Sequence, residues 1–385
     1  MNRFEFSTAT RIIFGWDSLN EIGKLSAEFG RNALVVTGKN PERAARLLEL
    51  LKQEGIVGST FCVPSEPTLD LVDAGTERAR SAGADFVIGF GGGSAIDAAK
   101  AIAAMMTNPG ELLDYVEIIG RAQPLPNAPA PFIAIPTTAG TGAEVARNSV
   151  ITSPKDQVKV SLRSPLMLAK IALVDPALTV GLPPEITAST GLDALTQVIE
   201  PLVSSRANPM TSALCIDGIR LAARALPVAF SDGTNRVARE EMALASLYGG
   251  LALANAGLGA VHGFAAPIGG MFPAPHGVVC AALLPHVMRV NIAALRSRAP
   301  QDRALQGYQE VAKLLTGHAS ATVEDGAEWI SALVKRLEIP GLSKFGLTQS
   351  AVTPLVEKAA RASSMKGNPI VLTETELRDI LQRAL

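Results

Sequence analysis

Cysteine is scarce in this sequence, with three residues among 385, Cys62, Cys215 and Cys280, all far apart along the chain. An odd number of widely spaced cysteines argues against a disulfide scaffold and fits a reducing compartment. An excess of one charge is also lacking, since the formal net charge is −1 and no basic run occurs. Nucleic acid is therefore not expected as a partner. The first residues lack an apolar core followed by a cleavage site, which predicts a cytoplasmic protein.

Charged residues are missing from residues 242–288, and one part of this stretch, MALASLYGGLALANAGLGAV, is long enough to span a bilayer. Asn255, His262, several glycines and the prolines that follow interrupt the stretch, and no cluster of Lys or Arg flanks it. A helix that is buried on all sides in a protein core explains this pattern better than a membrane span does. We therefore expect no association with a membrane.

The length of the chain and its 48% of hydrophobic residues predict large buried cores and two domains. Up to about residue 178, the apolar runs NALVVTG, ADFVIGF and PFIAIPTT alternate with the amphipathic stretches PERAARLLELLKQEG and SAIDAAKAIAAMM. This alternation predicts a doubly wound parallel sheet, that is, a Rossmann-like α/β domain over residues 1–178. Prolines in ALVDPALTVGLPPEIT break the pattern, and the helical stretches beyond them predict an all-α domain over residues 179–385.

A glycine-rich turn follows the second of these predicted strands, in FVIGFGGGSAIDAAK. Glycines let backbone N–H groups approach a diphosphate, and the N-terminus of the next helix offers free donors and a favourable dipole. The match to G-x-G-x-x-G is imperfect, because Ser94 stands where the last glycine belongs. A tight turn is the alternative, but three consecutive glycines exceed what a turn needs. The candidate cofactor-binding residues here are Gly91, Gly92, Gly93, Ser94 and Asp97.

Two further strand ends carry candidate nucleotide contacts. IPTTAGTGAEV offers the hydroxyls of Thr137, Thr138 and Thr141 after a strand, and ligands of such sheets sit at the carboxyl ends of the strands. In VVTGKNPER, Gly38 and Lys39 occupy the place where an acidic residue would bind the ribose of NAD. This leaves room and positive charge for the 2′-phosphate of NADP(H); otherwise Lys39 is a solvated surface charge.

Candidate metal ligands follow in the second half. The stretch from Glu185 to about residue 204 predicts a largely buried helix with Asp193 and Gln197 on one face, four residues apart. A buried carboxylate needs a partner, and His262 and His276, each followed by glycine, could complete a four-point cage. Such a set suits Fe(II), Zn or a similar divalent ion. From spacing alone, a pair of hydrogen-bonded core histidines is an equal alternative. Cys280, four residues after His276, is expected to pack in the core.

With these motifs assembled, the chain resembles the iron-containing (group III) alcohol dehydrogenases along nearly its whole length. The matching stretches are GGGSAIDAAKAIA, PTTAGTGAEV, GLDALTQVIE, VHGFAAPIGG, PHGVVCAALLPHVM and the late GNP. The resemblance implies the dehydroquinate synthase-like architecture, with a dinucleotide-binding α/β domain, a helical metal- and substrate-binding domain, and a homodimer. It implies that Gly91 to Ser94 hold the diphosphate and that Thr137, Thr138 and Thr141 line the dinucleotide. Asp193, His262 and His276 match three of the four metal ligands, and Lys159 matches a lysine near the nicotinamide; these four are the candidate catalytic residues.

The sequence departs from the family pattern at two positions. Gln197 stands where the family usually has its fourth ligand, a histidine, and its neutral side-chain oxygen is a harder and weaker donor. Ala266 stands where some members carry a histidine credited with proton relay, which implies another route through water or ribose hydroxyls. Arg147 or Lys366 is a candidate for favouring a polar or anionic aldehyde.

The function expected is metal-dependent hydride transfer between NAD(P)(H) and a small alcohol or aldehyde. One alternative is a metal-independent reductase of the maleylacetate reductase type, in which the altered ligand set marks the loss of the metal. Retention of the aspartate and both histidines argues against it. A second alternative is a lyase like dehydroquinate synthase, and a third is a non-catalytic nucleotide sensor.

Overall fold

The computed structural model describes residues 3–385, which form two compact units. One unit comprises Ser7–Thr138 and Gly142–Thr179, and it contains the strands. The other comprises residues 3–6, Ala139–Thr141 and Val180–Leu385, and it is helical. Neither unit is a single continuous stretch of chain, because the three residues Ala139–Thr141 belong to the helical unit.

Within the described residues, the α/β unit contains one six-stranded sheet and one hairpin. The strands are β1 (Arg11–Phe14), β2 (Asn32–Thr37), β3 (Val57–Cys62), β4 (Phe86–Gly91), β5 (Phe132–Pro136), β6 (Asn148–Ser153), β7 (Val158–Arg163) and β8 (Ile171–Val174). The helices are α1 (Ile22–Ser26), α2 (Ala45–Gln53), α3 (Leu69–Ser81) and α4 (Gly93–Thr107). The sheet runs β1-β8-β5-β4-β2-β3 with every neighbouring pair parallel, while β6 and β7 pair antiparallel. The predicted parallel α/β architecture is therefore confirmed.

Burial explains why the central strands read as continuous apolar runs. Every residue of β4, β5 and β8 is buried, as expected for parallel strands with both faces covered. Alternate residues of β4, such as Phe86, Ile88 and Phe90, join the cluster formed with α1 and α2, while α4 packs against the same central strands. Because β5, β4 and β2 are neighbours, the loops that follow them meet at one edge of the sheet.

The helical unit is built around α5, which is buried along most of its length. Its helices are α5 (Pro184–Val203), α6 (Pro209–Ser231), α7 (Arg236–Ala256), α8 (Ala260–Met271), α9 (His276–Arg298), α10 (Arg303–Thr316), α11 (Val323–Arg336), α12 (Val352–Arg361) and α13 (Glu374–Ala384). Helices α6, α7 and α9 pack around α5, which leaves almost no solvent-facing stripe on it. Polar side chains on α5 consequently need partners inside the unit.

The uncharged stretch 242–288 is divided among three helices. Helices α7 and α8 meet at a bend of 98°, so the apolar run noted in the sequence is not one continuous helix. Among the described residues, α9 alone is by itself long and apolar enough to cross a membrane by composition, and 83% of its most apolar window is buried within the protein. Core packing accounts for this composition in α9.

Candidate metal centre and nucleotide-binding edge

Asp193 is a buried carboxylate in the middle of α5. Only 2% of the residue is exposed, and its Oδ1 has no hydrogen-bond partner among the described residues. An unpartnered carboxylate oxygen in a helical core is costly, because water that would solvate it is excluded. Such an atom calls for a cation or a proton donor nearby.

Two imidazoles face this oxygen. Nε2 of His262, in the first turn of α8, lies 3.4 Å from Asp193 Oδ1, and Nε2 of His276, the first residue of α9, lies 3.6 Å from it. The two ring centroids are 5.4 Å apart. Donor atoms about 2.0–2.1 Å from one tetrahedral zinc ion lie about 3.4 Å from each other, so these separations fit a shared divalent ion. The structure brings Asp193, His262 and His276 together, and their role as metal ligands stays a prediction.

The glycine after His276 explains how α9 comes so near to α5. A Cβ built on Gly277 would lie 2.4 Å from the backbone oxygen of Ser189 on α5. This separation is far below van der Waals contact, so only glycine lets the first turn of α9 sit against the α5 backbone. The close approach places His276 beside Asp193, one turn further along α5.

Cys280 also belongs to the cluster, although the sequence indicated core packing for it. Its Sγ lies 3.8 Å from Nε2 of His262 and 3.7 Å from Nε2 of His276, and the residue is fully buried. One ligand atom from each of Asp193, His262, His276 and Cys280 lies within 4.8 Å of the others. The spacing of four residues from His276 was the available signal, because it puts both side chains on one face of α9.

Glu200 is a residue of the candidate centre that the sequence reasoning missed. Its Oε2 lies 2.7 Å from Nδ1 of His262, and its Oε1 accepts a hydrogen bond from the Val261 backbone N–H at 2.7 Å. A carboxylate at Nδ1 keeps the ring proton there and leaves Nε2 free to bind a metal. The signal in the sequence is the seven-residue spacing from Asp193, two helical turns along the same face of α5.

Charge within the cluster sets the proton affinities of its members. Burial lowers the pKa of His262, but the Cys280 sulfur, Asp193 and Glu200 outweigh it and hold that pKa well above its ordinary value. Burial also lowers the pKa of His276, but Cys280 and Asp193 outweigh this effect, so that the pKa of His276 is raised. For Asp193, burial acts to raise the pKa, but His276 and His262 outweigh it and lower the pKa. The cluster therefore favours a positive charge at its centre, and its O, N and S donors fit a divalent metal.

Gln197 lies one turn after Asp193 on α5 and is 2% exposed. Its Nε2 donates a hydrogen bond of 2.7 Å to the backbone oxygen of Gly140. The amide nitrogen is a donor only, so coordination by Gln197 would have to use its Oε1. Coordination by this residue stays a prediction.

The glycine-rich turn lies at the carboxyl edge of the sheet. A Cβ on Gly91 would lie 2.7 Å from Ala95 Cβ and 3.3 Å from the Gly38 nitrogen, so the ends of β4 and β2 approach closely there. The Thr137 N–H donates to the Gly91 oxygen at 2.9 Å, which fixes the end of β5 beside the same turn. Helix α4 begins at Gly93 after Gly92, whose lack of a side chain leaves the N–H groups of the first turn without a side-chain cap. This edge has the features of a phosphate-binding helix N-terminus.

The other predicted nucleotide contacts are distributed as follows. Lys39 is exposed after β2, Thr138 lies beside Gly92, and Thr141 falls in the segment that belongs to the helical unit. Asp97 accepts from the Val150 N–H at 3.1 Å and lies 3.8 Å from Nζ of Lys100, so it also joins α4 to β6. Lys159, on β7, is buried and its Nζ lies 2.9 Å from Glu66 Oε1. Roles in cofactor binding for these residues stay predictions.

Comparison with known proteins gives matches along the whole chain. Residues 9–176 match the family described as iron-containing alcohol dehydrogenase, and residues 187–385 match the Fe-containing alcohol dehydrogenase family, C-terminal. Alcohol dehydrogenase 4 of Schizosaccharomyces pombe is 35% identical over 379 residues, covering 97% of this chain and 87% of that protein. The 1,3-propanediol dehydrogenase of Citrobacter freundii is 34% identical over 394 residues, covering 99% and 98%. The crystal structure of sulfoacetaldehyde reductase from Bifidobacterium kashiwanohense in complex with NAD+ has a TM-score of 0.87 at 30% identity, covering 100% of this chain and 99% of that one.

Proposed function

Because the chain belongs to the iron-containing alcohol dehydrogenase family, it is an alcohol oxidoreductase, and we propose that it transfers hydride between NAD(P)(H) and a small alcohol or aldehyde with the aid of a divalent metal. The observation that carries this proposal is the buried Asp193 oxygen, which lacks a hydrogen-bond partner among the described residues and is faced by two imidazole nitrogens. A divalent metal at these atoms supplies Lewis-acid chemistry, which stabilises negative charge on the substrate oxygen.

Four residues of the chain would contribute to binding such an ion, in different ways. Asp193 would supply a negative oxygen, while His262 and His276 would supply nitrogens through Nε2, each releasing any proton held there as the ion binds. Glu200 holds the ring proton of His262 on Nδ1, so that the other nitrogen keeps its lone pair for the ion. Burial of Asp193 and His262 keeps water from competing for these donors. The ligand set thus needs little rearrangement to bind.

The reaction proposed is the oxidation of an alcohol by NAD(P)+ to give an aldehyde, NAD(P)H and a proton, or the reverse. The nicotinamide accepts or donates the hydride at its C4 atom. Gly91 to Ser94 would hold the diphosphate at the N-terminus of α4, beside Thr137 and Thr138. The exposed Lys39 after β2, with no acidic residue at the strand end, supports acceptance of NADP(H) besides NAD(H). A cytoplasmic location and a homodimer remain predictions.

Substitution of Asp193 by Asn tests this proposal. The amide preserves shape but removes the charge that attracts the ion, so metal binding and aldehyde reduction should both fall by at least about a hundredfold, equivalent to about 2.7 kcal/mol. The matched control is Asp217→Asn on α6, where the carboxylate is exposed and pairs with Arg220. Full activity of the Asp193→Asn variant would favour the metal-independent alternative. Turnover that requires a phosphorylated sugar acid and shows no net hydride exchange would favour the lyase.

A further inference from the structure

We propose that Cys280 is a metal ligand, so that the centre is formed by one carboxylate oxygen, two imidazole nitrogens and one thiolate sulfur. The inference rests on the proposed function in one respect, since it needs a divalent ion to bind beside Asp193. It goes further by naming the fourth donor and the class of metal that this donor favours.

The position of the sulfur carries the inference. Cys280 Sγ is nearly equidistant from the two imidazole nitrogens, 3.8 Å from Nε2 of His262 and 3.7 Å from Nε2 of His276. A nitrogen at about 2.0–2.1 Å and a sulfur at about 2.3 Å from one tetrahedral zinc ion lie about 3.6 Å apart. The observed separations are therefore within about 0.2 Å of those of a shared ion. The unpartnered, buried Oδ1 of Asp193 points to the same centre.

The local sequence places the sulfur there by helix geometry. Cys280 follows His276 by one turn of α9, so both side chains are on the face that Gly277 brings against α5. On α5, Asp193 is the only member of the cluster of four possible metal ligands among the described residues. The amide nitrogen of Gln197 is already used, because it donates to the Gly140 oxygen. Helix α9 thus contributes two of the four donor atoms, from His276 and Cys280.

Cys215 provides the internal comparison. It is also fully buried in the helical unit, on α6, but it belongs to no metal-ligating cluster among the described residues. Burial alone raises the pKa of the Cys215 thiol, which is the behaviour of an inert core cysteine. The same residue type therefore occurs once as core packing and once beside three other donor atoms.

A thiolate donor should change which ions the centre prefers. Sulfur ligands favour Zn(II) and Co(II), whereas ions such as Mn(II) and Mg(II) prefer oxygen. We expect replacement of the sulfur by a hydroxyl in Cys280→Ser to weaken Zn(II) and Co(II) binding by at least about tenfold. Loss of a residue that only supports a ligand already costs about that much, so loss of a ligand should cost no less. Mn(II) binding should change much less.

The experiment uses the whole protein loaded with Co(II), and then with Zn(II). The Co(II) form of the wild type should contain one ion per chain and show a thiolate-to-cobalt charge-transfer band in the near ultraviolet. Cys280→Ser should lose this band and keep weaker binding, while the matched Cys215→Ser variant should keep the band. X-ray absorption of the wild-type Zn(II) form should show one sulfur at about 2.3 Å, a readout that needs no variant.

The outcomes separate this inference from the proposed function. A wild type that binds one Co(II), reduces aldehydes and shows neither the band nor a sulfur neighbour overturns the Cys280 assignment and leaves the proposed function standing. A band that persists in a folded Cys280→Ser variant also overturns it. A wild type that binds no divalent ion at all overturns both. Circular dichroism and the unfolding midpoint of each variant establish that it is folded.

Discussion

Glu200→Gln tests how His262 is held, because the change keeps the size of the side chain and alters only its hydrogen-bonding groups. In the native protein both carboxylate oxygens accept bonds of 2.7 Å, one from the Val261 N–H and one at Nδ1 of His262. A glutamine can offer an oxygen to only one of these positions. If its NH2 group faces His262, the ring must carry its proton on Nε2, where the metal should bind. If it faces Val261 instead, a buried N–H group is left without an acceptor.

The expected loss follows from what such supporting partners contribute. Removing the hydrogen-bond partner of a metal-binding histidine typically costs 10–100-fold in metal affinity, so we expect about 1.4–2.7 kcal/mol. The unfolding free energy should fall by about 1–3 kcal/mol if the unsatisfied group is the Val261 N–H. Zn(II) affinity is measured by competition with a chromophoric chelator, and stability by denaturant unfolding of the metal-free protein.

The control variant is Glu185→Gln, which changes an exposed carboxylate on the same helix. It should bind Zn(II) like the wild type. A folded Glu200→Gln variant whose Zn(II) affinity stays within about twofold of the wild type would refute the reasoning, because the effect expected is at least about tenfold.

The remaining predictions concern the close approach of two helices, a buried carboxyl group and the cofactor. Gly277→Ala places a Cβ 2.4 Å from the Ser189 oxygen, so it should lower stability by about 1–3 kcal/mol and weaken Zn(II) binding; an unchanged unfolding midpoint would contradict this. Burial raises the pKa of Glu144 from 4.5 to about 7 against the opposing charge of Lys100. The folded state therefore keeps this proton longer than the unfolded state, and stability should fall by up to about 3 kcal/mol as pH rises from about 4.5 to 7. Glu144→Gln should remove that part of the pH dependence, and an identical pH profile in the variant would contradict the assignment. Lys39→Glu should lower the ratio of kcat/KM for NADPH to that for NADH by at least about tenfold. An unchanged ratio would show that Lys39 does not bind the 2′-phosphate.

The parallel sheet was predictable because its central strands are buried on both faces. Such strands are apolar at every position, which distinguishes them from the loops in the sequence. The glycines after β4 mark the turn into α4. The sequence reasoning did not identify the hairpin β6–β7, whose strands combine buried residues with partly buried ones instead of forming a continuous buried run. The bend between α7 and α8 was also hidden, since both helices are apolar and their junction reads as part of one long run.

The metal centre was predictable only in part, for a geometric reason. Asp193, His262 and His276 were found by residue type and by resemblance, and the structure brings them together. Glu200 and Cys280 lie close to His262, which is on a different helix from either of them, and spacing along the chain does not show such contacts. Their residue types also have common alternative roles, a solvated helix charge and a packed core thiol. In each case the helical spacing, seven residues from Asp193 or four from His276, becomes informative once the neighbouring helix is in place.

The central claim is that a divalent ion held by Asp193, His262 and His276 is required for hydride transfer. The most direct test is metal analysis of protein purified without chelator, combined with NADPH and NADH oxidation against small aldehydes before and after chelation. We predict about one divalent ion per chain, loss of activity on chelation, and recovery when Fe(II), Zn(II) or Co(II) is added back. Metal-free protein that oxidises NADPH or NADH at the same rate as the untreated protein would contradict the account.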